Sequence, residues 1–162
     1  MENFSKQIIC DAVEQLLFGK AQERALDLVR YFYDNGMSVV LVDLNVWNVM
    51  FKDEIVCSLW LFKGERKCYS LYVFMEGDYS HVYSKFPLEE SVVKIALKHV
   101  NKCIECGGRC DDESCKTVFG QEYRNICGSP IKFVNPCGAT MASVKKLLEM
   151  RKFSIFNKLV LT

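Results

Sequence analysis

The sequence has only two histidines, His81 and His99, in 162 residues. A hydrolytic zinc centre keeps one coordination position open and usually draws on histidine or carboxylate ligands. There is no H-E-x-x-H run here to supply them. His81 falls in the alternation Tyr79-Ser80-His81-Val82-Tyr83, which reads as strand. Also missing are G-x-S-x-G, the phosphate-cradling P-loop and G-x-G-x-x-G, so the sequence offers no nucleophile elbow and no nucleotide fingerprint. Glu89-Glu90 is a solvated helix start rather than an acid–base pair.

Charge of one sign is equally absent. Lys and Arg total 21 and Asp and Glu 20, a net charge of +1. Such a chain has no electrostatic reason to favour nucleic acid or an anionic membrane. Within 98–132, Lys98, Lys102, Arg109, Lys116, Arg124 and Lys132 are nearly balanced by Glu105, Asp111, Asp112, Glu113 and Glu122. The basic residues of the last helix read as a solvated face. No stretch approaches the ~18 apolar residues of a membrane span. The N-terminus carries Glu2 and Asp11 where a signal peptide has a basic start and an unbroken apolar run. These readings predict a cytoplasmic protein with neither a nucleic-acid nor a membrane partner. Repeats, low-complexity segments and linkers are lacking, which predicts a single domain over 1–162.

What the chain does have is a core and thiols. It is 50% hydrophobic and 25% charged, as folded globular proteins are. Residues 4–17 place Phe4, Ile8, Ile9, Ala12, Val13, Leu16 and Leu17 at helical spacing, with Ser5 as cap and Gly19 as stop. Residues 20–34 repeat the pattern with Ala21, Ala25, Leu28, Val29 and Phe32, and end at Asn35-Gly36. The period then changes to two. It predicts strands at 38–43, 46–52, 55–63, 68–76 and 79–84, with hairpin turns at Lys52-Asp53-Glu54 and Lys63-Gly64-Glu65-Arg66.

Strand 55–63 sets Ile55, Cys57, Leu59 and Leu61 against Val56, Trp60 and Phe62. Strand 68–76 sets Tyr69, Leu71, Val73 and Met75 against Tyr72 and Phe74. Both faces are apolar, so the second face must meet something as well. The plain reading is the chain's own helices. The sharper one makes Trp60, Phe62, Tyr72 and Phe74 a surface for a small-molecule ligand, a protein or a second copy in a homodimer. Pro87-Leu88-Glu89-Glu90 opens a third helix with Leu88, Val92, Ile95, Ala96 and Val100 on its stripe, running toward Cys103. From 104 to 137 periodicity is lost. A last helix carries Met141, Val144, Leu147 and Leu148 to about Arg151, and the tail 153–162 is apolar enough to dock as a strand.

The chain has nine cysteines. Cys10, Cys57 and Cys68 lie in regular segments and read as small buried hydrophobes. The other six crowd together as Cys103-x2-Cys106-x3-Cys110-x4-Cys115-x11-Cys127-x9-Cys137. In a reducing compartment such a cluster points to metal or redox chemistry. A C-x2-C turn presents two sulfurs to one tetrahedral ion, and a second pair completes a structural zinc site. One ion then accounts for both the thiols and the long irregular stretch. Cys103 and Cys106 come first, with Gly107-Gly108 freeing the backbone to curl; Gly128 does the same after Cys127. Cys110 is close enough to join them. Cys115, beside Asp111-Asp112-Glu113, has neighbours that disfavour a thiolate, yet it can replace Cys110. Cys137 sits in a helix start. His99 is either a further ligand on the helix face leading to Cys103 or a polar residue at the helix end.

The runs Phe119-Gly120-Gln121-Glu122-Tyr123-Arg124-Asn125-Ile126-Cys127, Phe133-x-Asn135-Pro136 and Lys145-Lys146-Leu147-Leu148-x-x-Arg151-Lys152 resemble the tail of uncharacterised small bacterial proteins with a C-x2-C-x3-C segment just upstream. The resemblance covers about the last third of the chain. It implies Cys103, Cys106, Cys110 and Cys127 as the zinc set, with Cys115 and Cys137 as extras, and implies no activity. Taken together, the expectation is an α+β domain: two N-terminal helices, an antiparallel meander of four to five strands, a third helix, a zinc-organised Cys-rich segment over 103–137, and a C-terminal helix. Its function is expected to be binding or regulation rather than catalysis. The alternative is a thiol-disulfide oxidoreductase using Cys103 and Cys106. Against that alternative, a thiol at a helix C-terminus is opposed by the helix dipole.

Overall fold

The computed structural model describes residues 2–62, 68–74, 86–102 and 115–160. The elements run α1 (Glu2–Leu16), α2 (Gly19–Asp34), β1 (Ser38–Asp43), β2 (Val46–Phe51), β3 (Glu54–Leu61), β4 (Tyr69–Val73), α3 (Glu90–Lys98), β5 (Val100–Lys102), β6 (Cys115–Val118), β7 (Gln121–Arg124), β8 (Ile126–Val134) and α4 (Gly138–Val160). The fold is α+β. A six-stranded antiparallel sheet has the order β1-β2-β3-β4-β8-β5, and β6-β7 form a separate hairpin. The chain divides into two compact units, Met1–Leu71 with Phe133–Cys137, and Tyr72–Lys132 with Gly138–Thr162.

In the first unit, α2 buries Ala25, Leu28, Val29 and Phe32, a stripe at i, i+3, i+4 and i+7. It stops where Asn35 and Gly36 (φ +69°) turn the chain, and Met37 N–H returns to the Phe32 carbonyl at 3.0 Å. Ile9, Val13 and Leu17 bury the matching stripe of the first helix and its exit. Ser5 is not a cap: it lies inside α1, and its hydroxyl donates to the Val39 carbonyl at 2.6 Å. Strands β1–β3 form the expected meander. The loop Lys52-Asp53 has φ of +49° and +64°, both left-handed, as a two-residue type I′ hairpin requires. Val39, Val49 and Cys57 lie directly across one another and are all buried. On the opposite face Ser58 donates to Asn48 Oδ1 at 2.5 Å.

A clamp joins distant parts of this unit. Asn135 adopts φ +44°, its N–H donates to the Tyr69 carbonyl at 3.0 Å, and its Oδ1 accepts the Tyr69 N–H at 3.0 Å. Asparagine tolerates this conformation better than most residues. Asn135→Ala leaves a half-buried amide unpaired and adds left-handed strain. It is expected to cost about 2 kcal/mol in urea unfolding, whereas Asn135→Asp, which keeps the acceptor, stays closer to the parent.

In the second unit, α3 buries Val92 and Ala96 and meets α4. The Phe86 and Phe153 rings stack obliquely with centroids 5.4 Å apart. Three expectations change here. The third helix stops at Lys98, with His99 as its C-cap, and Val100 belongs to β5. The stretch expected to be irregular up to 137 contains β6, β7 and β8. The tail does not form a strand: α4 continues through Val160. The turn expected at 63–66 and the strand expected at 79–84 lie outside the described residues.

Candidate functional site

Cys103, Cys106 and Cys110 lie outside the described residues. Of Cys115 and Cys127 only the backbone is described: Cys115 opens β6 and Cys127 lies in β8. Among the described residues no group of three or more His, Cys, Asp or Glu side chains could hold a metal ion. The strand pairing fixes where the Cys-rich segment is anchored. Lys102, one residue before Cys103, pairs with Ile126, one residue before Cys127. Cys115, where the chain returns, pairs with Arg124, three residues before Cys127. The hairpin turn between β6 and β7 is Phe119-Gly120, with φ of +52° and +73°. The segment thus leaves beside one end of β8 and re-enters in the hairpin that leads into it.

His99 does not share a helix face with Cys103, because three strand residues separate the helix end from it. Its carbonyl accepts the Lys132 N–H at 2.9 Å. The same observation removes the helix-dipole objection to redox chemistry, since Cys103 follows a strand and not a helix. Four cysteines elsewhere are free thiols: Cys57 is buried, Cys10 and Cys68 half-buried, and Cys137 exposed. Burial pushes the Cys57 thiol well above its ordinary range and raises that of Cys10 too.

The aromatic residues of the sheet do not share one environment. Val56 and Ser58 on the second face of β3 are buried, whereas Trp60 is 38% and Phe62 37% exposed, with ring centroids 6.3 Å apart. The second face is therefore covered over part of its length and open at its end. Tyr72 and Phe74 are half-buried. The Lys132 ammonium sits 5.5 Å from the Tyr72 ring centroid, a cation–π contact.

Tyr69 was legible in the sequence only as a strand residue. It is fully buried, and among the described residues its hydroxyl has no hydrogen-bond partner. Burial pushes its phenol up to about 12, with Arg24 pulling the other way and Cys137 adding to the rise. A folded-state value above the ordinary one means stability is held below pH 10 and lost as pH rises toward 12. Tyr69→Phe removes an unsatisfied hydroxyl. It is expected to match or exceed the parent at pH 7, by up to about 1 kcal/mol, and to lose less stability between pH 10 and 12 in paired denaturation series.

No family model, no curated protein and no solved structure matches this chain. Among the described residues no helix is long and apolar enough to cross a membrane.

Proposed function

We propose that the chain is a non-enzymatic binding or regulatory module whose Cys-rich segment is organised by one structural zinc ion held by Cys103, Cys106, Cys110 and Cys127. The pairing of Lys102 with Ile126 supports this reading most directly. It sets Lys102 and Ile126, the residues just before Cys103 and Cys127, opposite each other on adjacent antiparallel strands, so both cysteines start from the same stretch of the β5–β8 ladder. The resemblance to the uncharacterised bacterial proteins supports the same four ligands. On this reading the module works in the cytoplasm, where thiolates stay reduced. Candidate contact residues for its ligand or partner are Trp60 and Phe62 in the first unit and, separately, Tyr72 and Phe74 in the second.

A second reading is kept by one observation. Cys103 directly follows strand β5, as a redox C-x2-C motif follows a strand. Alkylation kinetics separate the two. Zinc predicts thiols of the 103–127 region that react slowly with iodoacetamide and quickly once a chelator is added. A redox pair predicts one fast thiol, indifferent to chelator, that is lost on mild oxidation.

A further inference from the structure

We propose that Cys137 is a peroxide-reactive thiol, and that Tyr69 and Arg24 hold the oxygen its sulfur gains on oxidation to a sulfenate. Among the free thiols of the described residues Cys137 is the exposed one, and it lies outside the zinc set proposed above. The Asn135 clamp fixes its surroundings. Asn135 grips both backbone groups of Tyr69, so Cys137, two residues further on, is held beside β4. The Tyr69 hydroxyl is enclosed and has no partner among the described residues. Buried hydroxyls are normally satisfied, and an orphan calls for an acceptor. The charges of Arg24, from α2, and of Cys137 both reach this hydroxyl, and among the described residues no carboxylate's does. Arg24 is half-buried, with neither a hydrogen bond nor an ion pair among the described residues. All three residues belong to the first unit. The cluster therefore combines an exposed nucleophile, a buried donor and an unpaired cation, the electropositive setting in which thiols react.

Hydrogen peroxide supplies the oxygen. The Cys137 thiol releases its proton to solvent, and the thiolate lone pair attacks one peroxide oxygen. An S–O bond forms as the O–O bond breaks. Sulfur loses two electrons, and the departing hydroxide takes up a proton to become water. The product carries an oxygen beyond sulfur that the reduced thiol lacks. Deprotonated, that oxygen accepts from the Tyr69 O–H and is balanced by the Arg24 guanidinium, a charge-assisted hydrogen bond strengthened by burial. A hydroxyl that is a liability in the reduced fold thereby gains its acceptor. Cys10, half-buried with Glu14 and Asp11 as well as Lys6 and Arg30 near it, is the internal control.

The test treats the full chain with hydrogen peroxide, stops the reaction with catalase and adds dimedone after increasing delays. Mass spectrometry reads the adduct at each cysteine-containing peptide. Cys137 is expected to carry the adduct ahead of Cys10. Its sulfenate is expected to outlive that of Tyr69→Phe and of Arg24→Gln by at least ~5-fold, since each variant removes one group that holds the oxygen. Arg24→Lys, which keeps the charge, is expected to recover part of the lifetime. Iodoacetamide alkylation of reduced Cys137 is expected to stay within ~2-fold of the parent in Tyr69→Phe, which separates loss of the donor from a change in exposure. Both Tyr69→Phe and Arg24→Gln remove a group with no partner in the reduced fold, and circular dichroism checks that they fold. An adduct at Cys137 no greater than at Cys10, or sulfenate lifetimes alike in the parent and both variants, overturns the proposal.

Discussion

Chelation of the purified chain with 1,10-phenanthroline is expected to lower its melting temperature by roughly 10–20 °C. Structural zinc contributes on the order of 10–16 kcal/mol in small metal-folded peptides. Part of that free energy is offset here by ordering a stretch with few apolar residues, leaving a net loss of about 5 kcal/mol on removal. For a chain of this length each kcal/mol moves the transition by about 2–4 °C. Cys106→Ser should reproduce the effect without chelator, because three sulfurs hold a tetrahedral ion far less well than four. The loss should be local at first. Amide exchange is expected to rise in β6, β7 and β8, which flank the Cys-rich segment, before it rises in α2. A chelator that leaves the melting curve unmoved counts directly against a structural ion.

Phe32→Ala is expected to cost about 3–5 kcal/mol, the next largest effect. Phe32 is fully buried at the last position of the α2 stripe, and its carbonyl receives the Met37 N–H as the chain turns into β1. Truncation empties a ring-sized volume where the helix hands over to the sheet, and surrounding side chains relax only partly into such a space. Phe18, 56% exposed in the turn before α2, provides the control. Phe18→Ala should change stability by less than about 0.5 kcal/mol. Urea unfolding of both variants measures the contrast; equal effects would mean the α2 stripe is not packed as described.

That contrast also shows where sequence reasoning reached its limit. The α2 stripe was readable because i, i+3, i+4 and i+7 are all apolar and Asn35-Gly36 supplies a stop. The β2–β3 hairpin was readable because the polar Lys52-Asp53-Glu54 interrupts two runs rich in β-branched and aromatic residues. The strands β6 to β8 were not. β7 reads Gln-Glu-Tyr-Arg and is mostly exposed, so it carries no apolar alternation. β8 includes Gly128 and Pro130, residues that weaken a strand signal. The β6–β7 turn uses Phe-Gly where Asn-Gly would have announced it. The extension of α4 was missed for the opposite reason: 153–160 is rich in aromatic and aliphatic residues, which look strand-like in isolation. No glycine or proline follows Gly138, so nothing stops the helix once it has begun.

At the candidate metal site the sequence supplied the chemistry and the structure supplied the anchoring. Spacing alone grouped Cys103 and Cys106, but it could not tell whether Cys127, twenty-one residues beyond Cys106, lies nearby. The pairing of β5 with β8 brings the residues before Cys103 and Cys127 side by side. The pairing of β6 with β7 keeps Cys115 within the same neighbourhood, so substitution of Cys110 and of Cys115 in turn will identify the remaining ligand. Cys137 belongs with Tyr69 and Arg24 in the first unit.

Elemental analysis of the full chain, purified without chelator or added metal, tests the central claim most directly. The account predicts about one zinc per chain, retained through dialysis and lost from Cys103→Ser. Fewer than about one-tenth of an equivalent, in protein whose thiols all titrate freely, would contradict it.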